Sequence, residues 1–265
     1  MRSITIGQYY PADSVIHRLD PRIKLFGSLI YITMLFMLEN VYGYAFAAVC
    51  LVSVIISSKI PVKYMLRGLR MIIYIILFTA VMNIFFSSGE TVIFSVWKIN
   101  IAREGLLTAG EMSFRLILLM VGASILTLST TPIKLTDAIE FALKPFSKIG
   151  VPSHEIAMMM TIALRFIPTL LEELDKIMKA QMARGADFDT GGLIKKAKSL
   201  IPLLVPLFVS SFRRADELAT AMEARCYKGG EGRTKMNKMR FCGRDYAALA
   251  FLSGFIGAII ALNIL

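Results

Sequence analysis

From residue 25 to residue 58 the chain is apolar with a single interruption, Glu39-Asn40-Val41-Tyr42-Gly43. A helix needs about 20 apolar residues to cross a bilayer, so this run holds two spanning helices joined by a tight hairpin. Further apolar runs cover 71–86, 105–128 and 247–265. Together they predict an all-α membrane protein with about five transmembrane helices. The 265 residues are 56% hydrophobic and 18% charged, whereas soluble domains carry about 25% charged residues. That balance excludes an ordinary cytosolic enzyme, a disordered chain and a disulfide scaffold. Residues 1–20 are too polar to contain the apolar core of a cleavable signal peptide.

Charge orients the spans. Lys and Arg number 30 against 19 acidic residues. Basic residues cluster on the cytoplasmic side of membrane proteins. Arg2, Arg18, Arg22 and Lys24 precede the first span, and Lys59, Lys63, Arg67 and Arg70 fill the second connection. The hairpin at 39–43 has no Lys or Arg, and the loop at 87–104 has only Lys98 and Arg103. Residues 129–244 hold 19 of the 30. The expected order is therefore a cytoplasmic N-terminal segment (1–24), four spans (25–128), a cytoplasmic region (129–243) and a last span (244–265). The N-terminus lies inside.

Little in the chain suggests chemistry. Cys50, Cys226 and Cys242 are far apart, and His17 and His154 cannot build a zinc site alone. Aromatic residues sit in the apolar runs rather than among basic ones, which argues against nucleic-acid binding. A phosphate-binding loop needs GxxxxGK followed by Ser or Thr. Gly191-Gly192 and Gly229-Gly230-Glu231-Gly232 lack that pattern. No metal or cofactor is expected, and the chain is not expected to hydrolyse ATP. Glu111 and Arg115 lie one helical turn apart in the fourth span and can form a structural ion pair. An autonomous secondary transporter, the alternative reading, would place its substrate site there.

The region 129–243 reads as three helices. Thr131-Pro132 opens the first, which stops at Gly150-Val151-Pro152. Ser153 is positioned to cap the second, which runs to about Arg184. The third runs from about Leu193 to Tyr227. Each of the last two repeats apolar residues on one face with a 3.6-residue period, such as Met160, Ala163 and Ile167, or Leu204, Phe208 and Phe212. Pro168, Pro202 and Pro206 are expected to bend or break them. Their first halves hold nearly continuous apolar runs, 157–160 and 201–205, which suits a membrane interface, and their second halves are charged.

The two helix ends match. Asp175, Ala180, Ala183 and Arg184 in one, and Asp216, Ala221, Ala224 and Arg225 in the other, fall at the same offsets. An Arg in a last turn is common because it complements the helix dipole. Two equivalent Arg tips on two long helices are more specific, and point to two equivalent partners or to a pseudo-symmetric dimer.

These segments resemble the transmembrane (T) components of energy-coupling factor (ECF) transporters. Gly7-Gln8-Tyr9-Tyr10-Pro11 and the stretch Ser14-Val15-Ile16-His17-Arg18-Leu19-Asp20-Pro21-Arg22-Ile23-Lys24 resemble that family's opening segment. Ala163-Leu164-Arg165-Phe166-Ile167-Pro168 resembles its second coupling helix. Ala183-Arg184-Gly185 and Ala224-Arg225-Cys226 resemble its paired Ala-Arg-Gly signatures, with Cys226 departing from Gly. The resemblance implies three cytoplasmic coupling helices, two of them long and crossing. It implies a scaffold in a prokaryotic cell membrane, part of an ABC-type importer of vitamins or micronutrients. Two ABC ATPases would dock on the Arg tips. A membrane-embedded S component would bind substrate and pack on an apolar face including Met159, Met160, Ala163, Ile167, Leu204 and Phe208.

The segment around His17 has two readings. It straps onto the coupling helices, or it caps the first span through Asp20 with Pro21 opening the helix. The capping chemistry favours the second.

Overall fold

A computed structural model describes residues 9–38, 40–86, 92–96, 99–186, 188, 192–230, 239 and 241–264. Gly7, Gln8, Glu39, Lys98, Gly191, Glu231 and Gly232 lie outside them. The chain forms α1 (Pro21–Phe36), α2 (Val41–Ser58), α3 (Val62–Phe86), β1 (Val92–Val96), β2 (Ile99–Ala102), α4 (Arg103–Ser129) and α5 (Pro132–Leu143). A 3₁₀ helix (Lys144–Ile149), α6 (Ser153–Ala183), α7 (Leu193–Ala224) and α8 (Gly243–Ile264) complete it. The strands pair antiparallel, Phe94 opposite Ile101 and Val96 opposite Ile99. This hairpin lies in the loop before α4 and departs from the all-α expectation. The segment is rich in β-branched residues (Val92, Ile93, Val96, Ile99 and Ile101) and has the propensity of a strand.

Two compact units result, one of Met1–Ala138 with Asn237–Leu265, the other of Ile139–Met236. In the first, α4 packs against α1, α2 and α3, and α8 packs against α1 and α2. Leu35, Leu38, Met65 and Ile259 are fully buried at its core. The α1–α4 approach depends on Gly122, where a Cβ would fall 2.3 Å from the Tyr31 ring. Small residues permit such contact between helices in lipid, where burial of apolar surface offers no drive of its own. Outward faces are also apolar: Tyr74, Leu77 and Phe78 of α3 are all exposed.

Helices α2, α4, α6 and α8 are long and apolar enough to cross a membrane. Helix α1 has 16 residues, and the apolar part of α3 covers only Ile72–Phe85. The presence of α6 in this set differs from the expected assignment. Its first half is nearly uncharged, so length and composition alone cannot separate an interfacial helix from a spanning one.

Other local expectations are corrected. The helix expected to run through residue 149 tightens to 3₁₀ after Leu143. Pro145 has no N–H to donate to the carbonyl four residues back, and a tighter turn accommodates that loss. Ser153 is the first residue of α6, not its cap; Pro152 precedes it without a side-chain cap bond. Helix α6 stays continuous through Pro168, and α7 through Pro202 and Pro206.

The N-terminal segment behaves as a cap. Asp20 accepts the Arg22 N–H at 2.9 Å, and Pro21 opens α1. Buried Asp245 accepts the backbone N–H groups of Asp20 (2.9 Å) and Cys242 (2.7 Å), tying the start of α8 to the start of α1. The end of α4 would otherwise expose carbonyls without donors. Tyr10 N–H donates to the Leu128 carbonyl at 2.9 Å, and Lys24 Nζ donates to the Ser129 carbonyl at 3.0 Å. His17 Nε2 lies 3.0 Å from the Tyr10 carbonyl, which can only accept, so Nε2 carries the proton. Its Nδ1 then accepts from the Ser14 hydroxyl at 2.7 Å.

Candidate docking surfaces on the long helices

Helices α6 and α7 end in the same backbone device. Gly185 has φ +89°, its N–H donates to the Met182 carbonyl, and Ala186 N–H donates to the Gln181 carbonyl, each at 3.0 Å. Cys226 has φ +52°, its N–H donates to the Glu223 carbonyl at 2.8 Å, and Tyr227 N–H donates to the Met222 carbonyl at 3.0 Å. Both are Schellman ends, in which a left-handed residue turns the chain and satisfies the last carbonyls. Glycine enters that region freely. A side chain there costs about 1–2 kcal/mol, and Cys226 bears that strain.

The turn leaves each preceding Arg at the helix tip. Ala183, Arg184, Gly185, Ala224, Arg225 and Cys226 are all exposed. Among the described residues neither guanidinium has an ion-pair or hydrogen-bond partner. Planar, permanently charged guanidinium beside a small Ala suits insertion of a helix end into a cleft lined by carboxylates or carbonyls.

Helices α6 and α7 are joined by a polar contact that periodicity did not single out. Arg214 Nη2 donates to Glu173 at 2.8 Å, and the Ser210 hydroxyl donates to the other carboxylate oxygen. Both Glu173 and Arg214 belong to the same repeat as the Arg tips. The repeat spacing of 41 residues was a signal that could have found the pair.

The apolar face is open. Met159, Ile167, Leu204 and Phe208 are 58%, 38%, 47% and 59% exposed, Ala163 is exposed, and Met160 is half-buried. Phe212, Val205 and Val209 continue that exposed surface on α7. A surface of this kind marks an interaction site with protein or lipid.

Arg115 does not join Glu111, which is exposed. It donates through Nε to the Tyr44 hydroxyl (2.8 Å) and through Nη2 to the Leu38 carbonyl (2.9 Å), with its guanidinium over the Tyr44 ring. The four ion pairs among the described residues do not include Glu111–Arg115. The correction has a simple cause. The α1–α2 turn leaves the Leu38 carbonyl without a helical donor, and a cation from α4 supplies one. No group of three or more His, Cys, Asp or Glu suited to a metal occurs among the described residues.

The described residues thus give one unit of apolar helices and, in the other, two long helices with matched Arg ends. The CbiQ family, described as cobalt transport protein, matches residues 12–236. The energy-coupling factor transporter transmembrane protein EcfT of Clostridium kluyveri is 58% identical over 94% of this chain and 92% of its own length. The protein of that name from Thermosediminibacter oceani is 58% identical over 94% and 93%. Its Bacillus subtilis counterpart is 45% identical over 95% of each. The chain belongs to this family, the EcfT transmembrane components of ECF transporters.

Proposed function

We propose that this chain is the non-catalytic coupling scaffold of an ATP-driven importer of a vitamin or other micronutrient. The observation that carries this reading is the pair of helix ends with the same hydrogen-bond pattern, whose exposed Arg184 and Arg225 have no partner among the described residues. Two ABC ATPase subunits receive the two tips, one each, through the sets Ala183-Arg184-Gly185 and Ala224-Arg225-Cys226. A membrane-embedded S component carries the substrate and packs on the exposed face that includes Met159, Met160, Ala163, Ile167, Leu204 and Phe208. Closure of the ATPase pair then moves α6 and α7, and with them the S component.

In this reading α1–α4 and α8 are the five spans in a prokaryotic cell membrane, with the N-terminus in the cytoplasm. Helix α5 and the long α6 and α7 are the coupling helices. The autonomous-transporter alternative has lost support, because the Arg115 it would use for substrate is engaged by Leu38 and Tyr44.

Co-purification tests the proposal. Arg184→Glu combined with Arg225→Glu should leave the chain in the membrane and release both ATPases. Retention of both ATPases by the double variant would overturn the docking assignment.

A further inference from the structure

Helices α1, α2, α4 and α8 enclose a half-open cavity of about 190 Å³. Its walls are almost wholly apolar, with Ile23, Tyr31, Leu51, Ile125 and Phe255 among them. At one end it is polar. Lys24 and Ser129 line that end. The Lys24 ammonium has three N–H groups and donates two of them, to the carbonyls of His17 (3.3 Å) and Ser129 (3.0 Å). One remains. Ser129 is 2% exposed, and its hydroxyl is buried without a partner among the described residues. A buried hydroxyl left so is costly, and in native structures it points to a ligand or an ordered group.

The charges around this end favour an anion. Asp245 accepts two backbone N–H groups and Asp20 accepts one, so both acids face protein donors. Lys134 adds a positive charge close to Lys24, and Asp20 and Asp245 add two negative ones, of which Asp20 is paired with Arg22. From Lys24 to Tyr31 is seven residues, about 10 Å of helix at 1.5 Å per residue. An acyl chain running down the groove would therefore start at a cation and end among aromatic rings.

We propose that this cavity is a binding site for one anionic phospholipid. One acyl chain occupies the apolar groove, and the phosphodiester sits on the free Lys24 N–H and the Ser129 hydroxyl. Long amphiphiles with a negative head combine the two terms the site offers, burial of CH₂ groups and attraction to a cation at the interface. The proposal rests on α1, α2, α4 and α8 lying in the membrane, not on the coupling role of α6 and α7.

Gly27 supplies the test. It lines the cavity, and a Cβ at this position meets nothing within 4 Å. Gly27→Leu fills the groove from open space, and Ser129→Ala removes the head-group hydroxyl without adding bulk. The full chain, purified in mild detergent, is titrated with an equimolar mixture of phosphatidylglycerol and phosphatidylcholine and read by native mass spectrometry. The wild type should retain one phosphatidylglycerol per chain in preference to phosphatidylcholine. Gly27→Leu, with an unchanged unfolding midpoint, should lose about tenfold in retention, and Ser129→Ala should lower the preference several-fold. Equal retention of both lipids by the wild type would overturn the proposal, as would a free fatty acid displacing the phospholipid. If Gly27→Leu fails to fold, an unaltered preference in Ser129→Ala overturns it alone.

Discussion

Glu173 and Arg214 form a 2.8 Å ion pair across α6 and α7 and are separated by 41 residues. Arg184 and Arg225 have the same separation, since 225 − 184 is 41. Each tip therefore lies 11 residues beyond its member of the pair (184 − 173 and 225 − 214), about 16 Å along its helix. The contact is equidistant from the two Arg ends. If ATPases dock on both tips as proposed, a force applied there acts on this contact with equal leverage from each side.

That geometry predicts a coupling defect rather than an assembly defect for Glu173→Gln. The pair is partly exposed, so it contributes little to stability. The unfolding midpoint should barely move, and ATPases should still co-purify. ATP hydrolysis in reconstituted vesicles should persist while substrate uptake per ATP falls. Uptake per ATP equal to wild type would refute a pivot at this contact.

Single and double tip variants should differ. Truncating one desolvated charged partner costs roughly 2–5 kcal/mol at an interface. Arg184→Ala or Arg225→Ala alone should weaken one ATPase and leave the other bound. Stoichiometry measured by quantitative gel or native mass spectrometry should then show one ATPase per chain. Loss of both from either single variant would mean that the tips are not independent.

Cys226 occupies a left-handed position at φ +52°, where Gly185 serves in the other helix. Cys226→Gly relieves about 1–2 kcal/mol of strain, offset by about 0.5–1 kcal/mol of unfolded-chain entropy. The expected net change is a stabilisation of about 0–1.5 kcal/mol. Gly185→Ala moves the opposite way by about 1 kcal/mol. Thermal unfolding in detergent compares the two, and a destabilised Cys226→Gly would contradict the shared cap.

Arg115 and Glu111 should now separate sharply. Arg115→Met removes charged hydrogen bonds to Tyr44 and Leu38, each worth about 1.5–3 kcal/mol. Glu111→Gln changes an exposed residue and should stay within about 0.5 kcal/mol. Comparable losses in both variants, measured by unfolding midpoint, would restore the ion pair.

His17 makes the N-terminal strap sensitive to acid. Burial holds its imidazole below the ordinary 6.5, against the opposing carbonyl of Tyr10, with Lys24 lowering it further and Asp13 raising it. The folded state therefore binds the proton less readily than the unfolded chain. The contribution is fully present above about pH 6.5 and is lost as pH falls through the lower folded value. Wild type should lose stability from pH 7 to pH 5 by more than His17→Asn does, in matched unfolding curves. Identical pH slopes would remove His17 as the cause.

Much of the architecture was legible in residue order. Apolar runs placed α1 to α4 and α8 because a bilayer demands length and hydropathy that are local properties. The 3.6-residue stripes placed α6 and α7, and Asp20-Pro21 announced the start of α1. The repeated Asp, Ala, Ala and Arg offsets located both helix ends, although the left-handed turn at Cys226 was not visible because cysteine rarely adopts it.

Other features needed atoms from distant parts of the chain. Arg115 lies one turn from Glu111 in sequence, yet its partners are Leu38 and Tyr44, 77 and 71 residues away. Local spacing identifies which groups can meet on one helix, and the Leu38 carbonyl in the α1–α2 turn, together with the Tyr44 hydroxyl, competes more strongly. The cavity beside Lys24 arises in the same way. Sequence by itself determined the apolar helices, the two long helices, their Arg ends and the family. Tertiary structure decided which polar groups pair, where an apolar groove stays open and where α6 touches α7, because those depend on which helices pack together and not on the order of residues along any one of them.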